Sequence, residues 1–119
     1  MPLRIMIVED EQLIALDLQD ILESAGHTVV GHATTMRSAV KLAGKSKPDV
    51  ALMDMELKDG SNGMDAAQAI SDKFGVPELF LTARSDFMVR AMAMDVEPVG
   101  FVTKPYQPND LLTALQHVK

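Results

Sequence analysis

The sequence predicts a doubly wound α/β domain, a flavodoxin-like five-stranded parallel sheet in the order 2-1-3-4-5 with five helices. Three observations carry that expectation. Short, almost wholly apolar runs recur, as in Ile5-Met6-Ile7-Val8 and Val50-Ala51-Leu52-Met53, which suits strands buried on both faces. Other stretches repeat their apolar residues at helical spacing. The two kinds alternate along the chain, and right-handed crossovers then leave few strand orders.

Each element has its own reason. The first strand, residues 3–8, stops at Glu9-Asp10-Glu11. Ile14, Leu18, Ile21, Leu22 and Ala25 give an inward stripe on a first helix that Gly26 closes. Residues 27–32 form a second strand. Thr34 and Thr35 are candidate caps for a helix over 36–46, with Val40 and Ala43 inward, and Pro48 breaks it. The central strand, 50–54, runs into the turn-rich Lys58-Asp59-Gly60-Ser61-Asn62-Gly63. Ala66, Ala67, Ile70 and Phe74 face inward from a third helix that closes near Gly75-Val76-Pro77. A fourth strand over 78–82 precedes a helix that Ser85 or Asp86 caps and that runs to about Met94. A fifth strand over 99–103 ends at Lys104-Pro105. Pro108 suits the first turn of a last helix over 109–119, with Leu111, Leu112, Leu115 and Val118 inward.

The 119 residues suit one domain, 1–119, with no internal repeat or linker. The absence of cysteine excludes disulfides, thiolate metal sites and thiol nucleophiles. No apolar run approaches the ~20 residues of a membrane span, and the N-terminus lacks a basic region followed by an apolar one. The expectation is a cytoplasmic protein without membrane contact. Eleven basic against 17 acidic residues give 11 − 17 = −6, which argues against direct nucleic-acid binding.

The strand ends hold the chemistry. The first strand ends in Glu9 and Asp10, the third in Asp54, the fourth in Thr82 and the fifth in Lys104. In the order 2-1-3-4-5 these side chains share one edge, where open α/β sheets place their ligands. Three carboxylates there repel unless a cation sits among them. Ligation by oxygen alone suits Mg²⁺, or Mn²⁺. A hydroxyl and an ammonium opposite them suit the oxygens of a phosphoryl group. Taken singly, the acids read as a helix N-terminus and Lys104 as a surface charge. Asp54 is harder to dismiss, because an acid after four buried apolar residues is costly unless paired.

The set Val8-Glu9-Asp10-Glu11, Leu52-Met53-Asp54, Leu81-Thr82-Ala83 and Lys104-Pro105 resembles the receiver domain of two-component response regulators, in its chemotaxis-regulator-like form, over the whole chain. The resemblance implies a phosphorylation-activated signalling switch in a phosphorelay. Asp54 would be the phosphoacceptor, supplied by a sensor histidine kinase or a histidine phosphotransfer protein. Asp10, Asp54 and the backbone carbonyl of Glu56 would hold Mg²⁺, with Glu9 acting through a metal-bound water. Thr82 and Lys104 would contact the phosphoryl oxygens, and the Lys104–Pro105 peptide would be cis. Thr82 and Phe101 would form the switch, changing the surface of the fourth helix, fifth strand and last helix for a downstream protein or a fused output domain. Such a protein is no enzyme in the ordinary sense, since it catalyses only its own phosphorylation and slow dephosphorylation.

Three departures from the family pattern stand out. A proline four residues and a glycine eight residues after the aspartate are usual, whereas this chain has Lys58 and Asn62, with Gly63 one residue late. That implies a one-residue insertion around Asp59-Gly60-Ser61. Glu56 and Arg84 occupy the two positions that tune phosphoryl lifetime, and an ion pair between them would screen the attacking water. The last helix is poor in basic residues, which favours a monomer or weak dimer, and Met88, Met92 and Met94 offer an adaptable apolar surface. Gly44-Lys45-Ser46 is no phosphate loop, because Ala39 stands where its first glycine belongs. His27, His32 and His117 lack metal-ligand spacing. Two further readings compete: a metal-dependent phosphatase or phosphotransferase with Asp54 as turnover nucleophile, and a degenerate receiver that only binds a partner.

Overall fold

A computed structural model describes residues 2–55, 63–83 and 98–118. In chain order these form β1 (Arg4–Val8), α1 (Gln12–Ser24), β2 (Thr28–Ala33), α2 (Met36–Ser46), β3 (Val50–Asp54), α3 (Gly63–Phe74), β4 (Glu78–Thr82), β5 (Gly100–Thr103) and α4 (Pro108–Leu115). The strands pair in parallel in the order β2-β1-β3-β4-β5, as the sequence predicts. The helix expected after β4, and with it Arg84, Met88, Met92 and Met94, lies outside the described residues. So do Glu56, Lys58 and the turn from Asp59 to Asn62.

Alternation along buried strands divides the core in two. Met6, Val8, Ala51, Met53 and Phe80 point to one side of the sheet, where Ala39 and Ala43 of α2 and Ala66, Ala67 and Ile70 of α3 meet them. Ile5, Ile7, Leu52, Leu79 and Leu81 point to the other, against Leu18 and Leu22 of α1 and Leu111 and Leu115 of α4. Every residue of β3 and β4 is buried, which explains why their sequences show no polar alternation.

The helix ends follow local chemistry. At α2 the Ser38 N–H donates to Thr35 Oγ1 and the Thr35 N–H donates to Ser38 Oγ, both at 3.1 Å, a reciprocal cap. Gly26 takes φ +95° after α1, a conformation that favours glycine. Pro108 opens α4, where its missing N–H leaves no partner wanting.

β1, β2 and β5 each shift by one residue from expectation, and three larger differences concern the helices. Ala25 is exposed rather than inward, because α1 stops at Ser24 and Ala25 is its capping residue. Phe74 is 43% exposed, at the last residue of α3. Its ring instead covers Gly44 of α2, where an added Cβ would sit 2.8 Å from Cζ. The last helix ends at Leu115, four residues early, and continues as a turn in which the Val118 N–H donates to the Leu115 carbonyl.

Candidate functional site

Parallel register brings the strand ends level. Val8 pairs with Met53, Asp54 with Leu81, and Thr82 with Thr103. The residues that follow or end those strands therefore emerge along one edge. The Glu9 N–H donates to the Ala33 carbonyl, Met55 N–H to Leu81, and Lys104 N–H to Thr82, which fixes the backbone on either side of each functional residue.

Glu9, Asp54 and Thr82 are buried at this edge, and Asp10 is half-buried. Glu9, Asp10 and Asp54 each offer a carboxylate oxygen within 4.8 Å of the others. The Lys104 ammonium lies 3.1 Å from Asp54 Oδ1 and 3.8 Å from Glu9 Oε2. Glu9 Oε1 accepts from the Glu11 N–H at 3.1 Å, while its Oε2 is buried with no hydrogen-bond partner among the described residues. Burial, and then the neighbouring Asp54 carboxylate, push the Glu9 carboxyl upward, and the Glu11 N–H and Lys104 only partly offset them.

The donor set fits a hard divalent cation. Three carboxylates with no imidazole or thiolate suit Mg²⁺ or Mn²⁺, and the orphaned Glu9 oxygen is an acceptor that a cation or its water would satisfy. The family model for the response regulator receiver domain matches residues 5–116. This chain belongs to the response regulator receiver family. It is 42% identical to the phyllosphere-induced regulator PhyR of Methylorubrum extorquens over 91% of its own length and 40% of that protein. It is 36% identical to the transcriptional regulatory protein PdtaR of Mycobacterium tuberculosis, covering 97% of this chain and 56% of PdtaR. The crystal structure of PhyR from Brucella abortus superposes with a TM-score of 0.85 at 39% identity, over 99% of this chain and 48% of that one. The receiver thus spans about half or less of the length of these relatives.

Within the receiver, Asp54, Glu9, Asp10 and Lys104 come together directly, and Thr82 ends the adjoining strand. The Lys104–Pro105 peptide is cis. Phe101 is half-buried on β5, and its ring stacks on Phe80 at a centroid distance of 5.6 Å and an interplanar angle of 25°. Phe80 was not singled out by the sequence, although it lies two residues before Thr82 and so shares its face of β4. The pairing of Phe80 with Phe101 then follows from the register. A second contact joins residues 89 apart in sequence: the Tyr106 hydroxyl donates to Asp17 Oδ2 at 3.3 Å. No sequence signal marks it. No helix among the described residues is long and apolar enough to cross a membrane.

Proposed function

We propose that this receiver is a phosphorylation-dependent switch whose phosphoacceptor is Asp54, loaded by a sensor histidine kinase or a histidine phosphotransfer protein. The observation that carries the reading is a buried Asp54 with two further carboxylates around it and the Lys104 ammonium 3.1 Å from its Oδ1. Glu9, Asp10 and Asp54 would hold Mg²⁺, which supplies charge neutralisation for the incoming phosphoryl oxygens. Asp54 supplies the nucleophilic oxygen. Its bond to phosphorus forms as the phosphorus–nitrogen bond of the donor phosphohistidine breaks, and the leaving imidazole keeps the electron pair and takes a proton. Lys104 leaves its ion pair with Asp54 for a phosphoryl oxygen, and Thr82 donates its hydroxyl to another.

The response is conformational. When Thr82 turns to the phosphoryl group, Phe101, stacked on Phe80, turns into the space it leaves. The altered β5 and α4 surface then meets a downstream protein or a fused output domain. On this reading the chain catalyses only its own phosphorylation and slow dephosphorylation, and it is not a turnover enzyme.

Incubation with Mg²⁺ and acetyl phosphate, followed by intact mass measurement, tests the proposal. One phosphoryl group on the protein, absent when Mg²⁺ is chelated, is the expected result. Rapid multiple turnover would identify a phosphatase instead. No adduct under any condition would leave a binding module.

A further inference from the structure

The segment that presents Lys104 is held on both sides of its cis peptide. On the near side, the Lys104 N–H donates to the Thr82 carbonyl at 2.8 Å. On the far side, the half-buried Tyr106 ring packs against the core shared by α1 and α4, and its hydroxyl reaches Asp17 of α1. Packing alone needs no hydroxyl, because a phenyl ring of the same outline fills the same space. What the oxygen adds is one directional contact to the helix that begins directly after Glu9-Asp10-Glu11. Burial first, and then the charges of Asp17 and Glu9, push the Tyr106 phenol up to about 12. It therefore stays protonated, and a donor, at neutral pH.

We propose that Tyr106 is a positioning residue for phosphoryl transfer: its hydroxyl, braced on Asp17, fixes the arm that holds the Lys104 ammonium against Asp54. This rests on the phosphoacceptor reading above. Tyr106 acts through Lys104, two residues away, whose Nζ must sit within hydrogen-bond distance of an oxygen that changes partner during the reaction. Displacing a group of this kind by about 1 Å can slow a reaction by up to ~10²-fold. Loss of a single tethering hydrogen bond should do less, roughly three- to tenfold.

The test uses the whole chain and two readouts. Tyr106→Phe keeps the ring and removes only the hydroxyl. Its rate of phosphorylation by acetyl phosphate at saturating Mg²⁺ should fall roughly three- to tenfold, with Mg²⁺ affinity unchanged. Asp17→Asn keeps an acceptor oxygen and should stay near wild type. Asp17→Ala should match Tyr106→Phe, and the double variant should be no slower than either single one. The second readout needs no phosphoryl donor: acetylation of the Lys104 amine by acetic anhydride, measured against exposed Lys41 by peptide mass, should accelerate several-fold in Tyr106→Phe and Asp17→Ala. If the wild type accepts no phosphoryl group, the phosphoacceptor reading fails, while the amine labelling still decides whether the brace holds Lys104. Unchanged labelling overturns the proposal, whatever the rates do. So does a wild-type rate in Tyr106→Phe, or independent losses that add in the double variant.

Discussion

Burial pushes the Glu9 and Glu78 carboxyls upward at opposite ends of the sheet, but the two ends surround them with different company. At the C-terminal edge, Glu9 and Asp54 are buried beside half-buried Asp10, with the Lys104 ammonium between Asp54 and Glu9. At the other end, Glu78 opens β4 with no exposed surface at all. Its backbone is well placed, since it pairs with Ala51 and its carbonyl accepts from the Val99 N–H at 2.8 Å. Its side chain is not, because neither carboxyl oxygen has a hydrogen-bond partner among the described residues. Burial alone pushes the Glu78 carboxyl from an ordinary 4.5 to about 8.

A buried acid can keep its charge by gathering cations or shed it by keeping its proton. The first arrangement concentrates charge where a phosphoryl group and a metal can use it. The second makes the fold more stable in acid, and it has no place in the phosphoryl chemistry. Burial of an acid is therefore not what distinguishes a reactive site in this molecule; the company the acid keeps is.

The largest effect expected of any single change is at the reactive end. Asp54→Asn should eliminate the phosphoryl adduct while leaving the fold intact, and its unfolding midpoint in urea should rise slightly as one of three crowded carboxylates loses its charge. An unfolding midpoint below wild type would mean that Lys104 and Asp54 stabilise each other more than the carboxylates repel.

Glu78 comes next, and here the sign is fixed by the direction of the shift. The unfolded carboxyl ionises near 4.5 and the folded one near 8, so the native state binds the extra proton between those values. Stability should be complete below about pH 4.5, fall as pH rises toward 8 and level off above it. Glu78→Met fills similar volume without a charge to bury. Urea denaturation should find the variant little changed near pH 5 and more stable by on the order of 3 kcal/mol near pH 8. A difference that does not vary with pH would show that Glu78 has found a way to ionise in place.

Mg²⁺ sharpens the contrast from the other side. At about a hundred times its dissociation constant it should stabilise the wild type by about 2.7 kcal/mol, and Glu78→Met by the same amount. Asp10→Asn should lose most of that gain. Thermal unfolding with and without the ion reads it out. The smallest effect calibrates the rest: Thr35→Ala removes the α2 cap, far from either chemistry, and should cost about 1 kcal/mol at every pH and Mg²⁺ concentration.

Much of this was legible in the sequence because the relevant physics is local. Continuous apolar runs such as Val50-Ala51-Leu52-Met53 announce strands buried on both faces, and helical spacing separates them. Once the strand order follows, the residues at the strand ends must share an edge, which is how Glu9, Asp10, Asp54 and Lys104 can be brought together on paper. What escaped depends on contacts between distant segments. Glu78 reads as an ordinary polar strand opening, since nothing local reports that both faces of β4 are covered from its first residue. Phe74 reads as inward by its spacing, yet it lies at the very end of α3, over a glycine of α2. The link from Tyr106 to Asp17 requires knowing where α1 lies beside the arm after β5.

The most direct test of the central claim locates the phosphoryl group. Protein treated with Mg²⁺ and acetyl phosphate can be reduced with borohydride, which converts an aspartyl phosphate to homoserine, and then digested and sequenced by mass. Homoserine at position 54 alone is the predicted result. Homoserine at position 10, or a stable phosphoryl group on any hydroxyl or imidazole with position 54 unmodified, would contradict it.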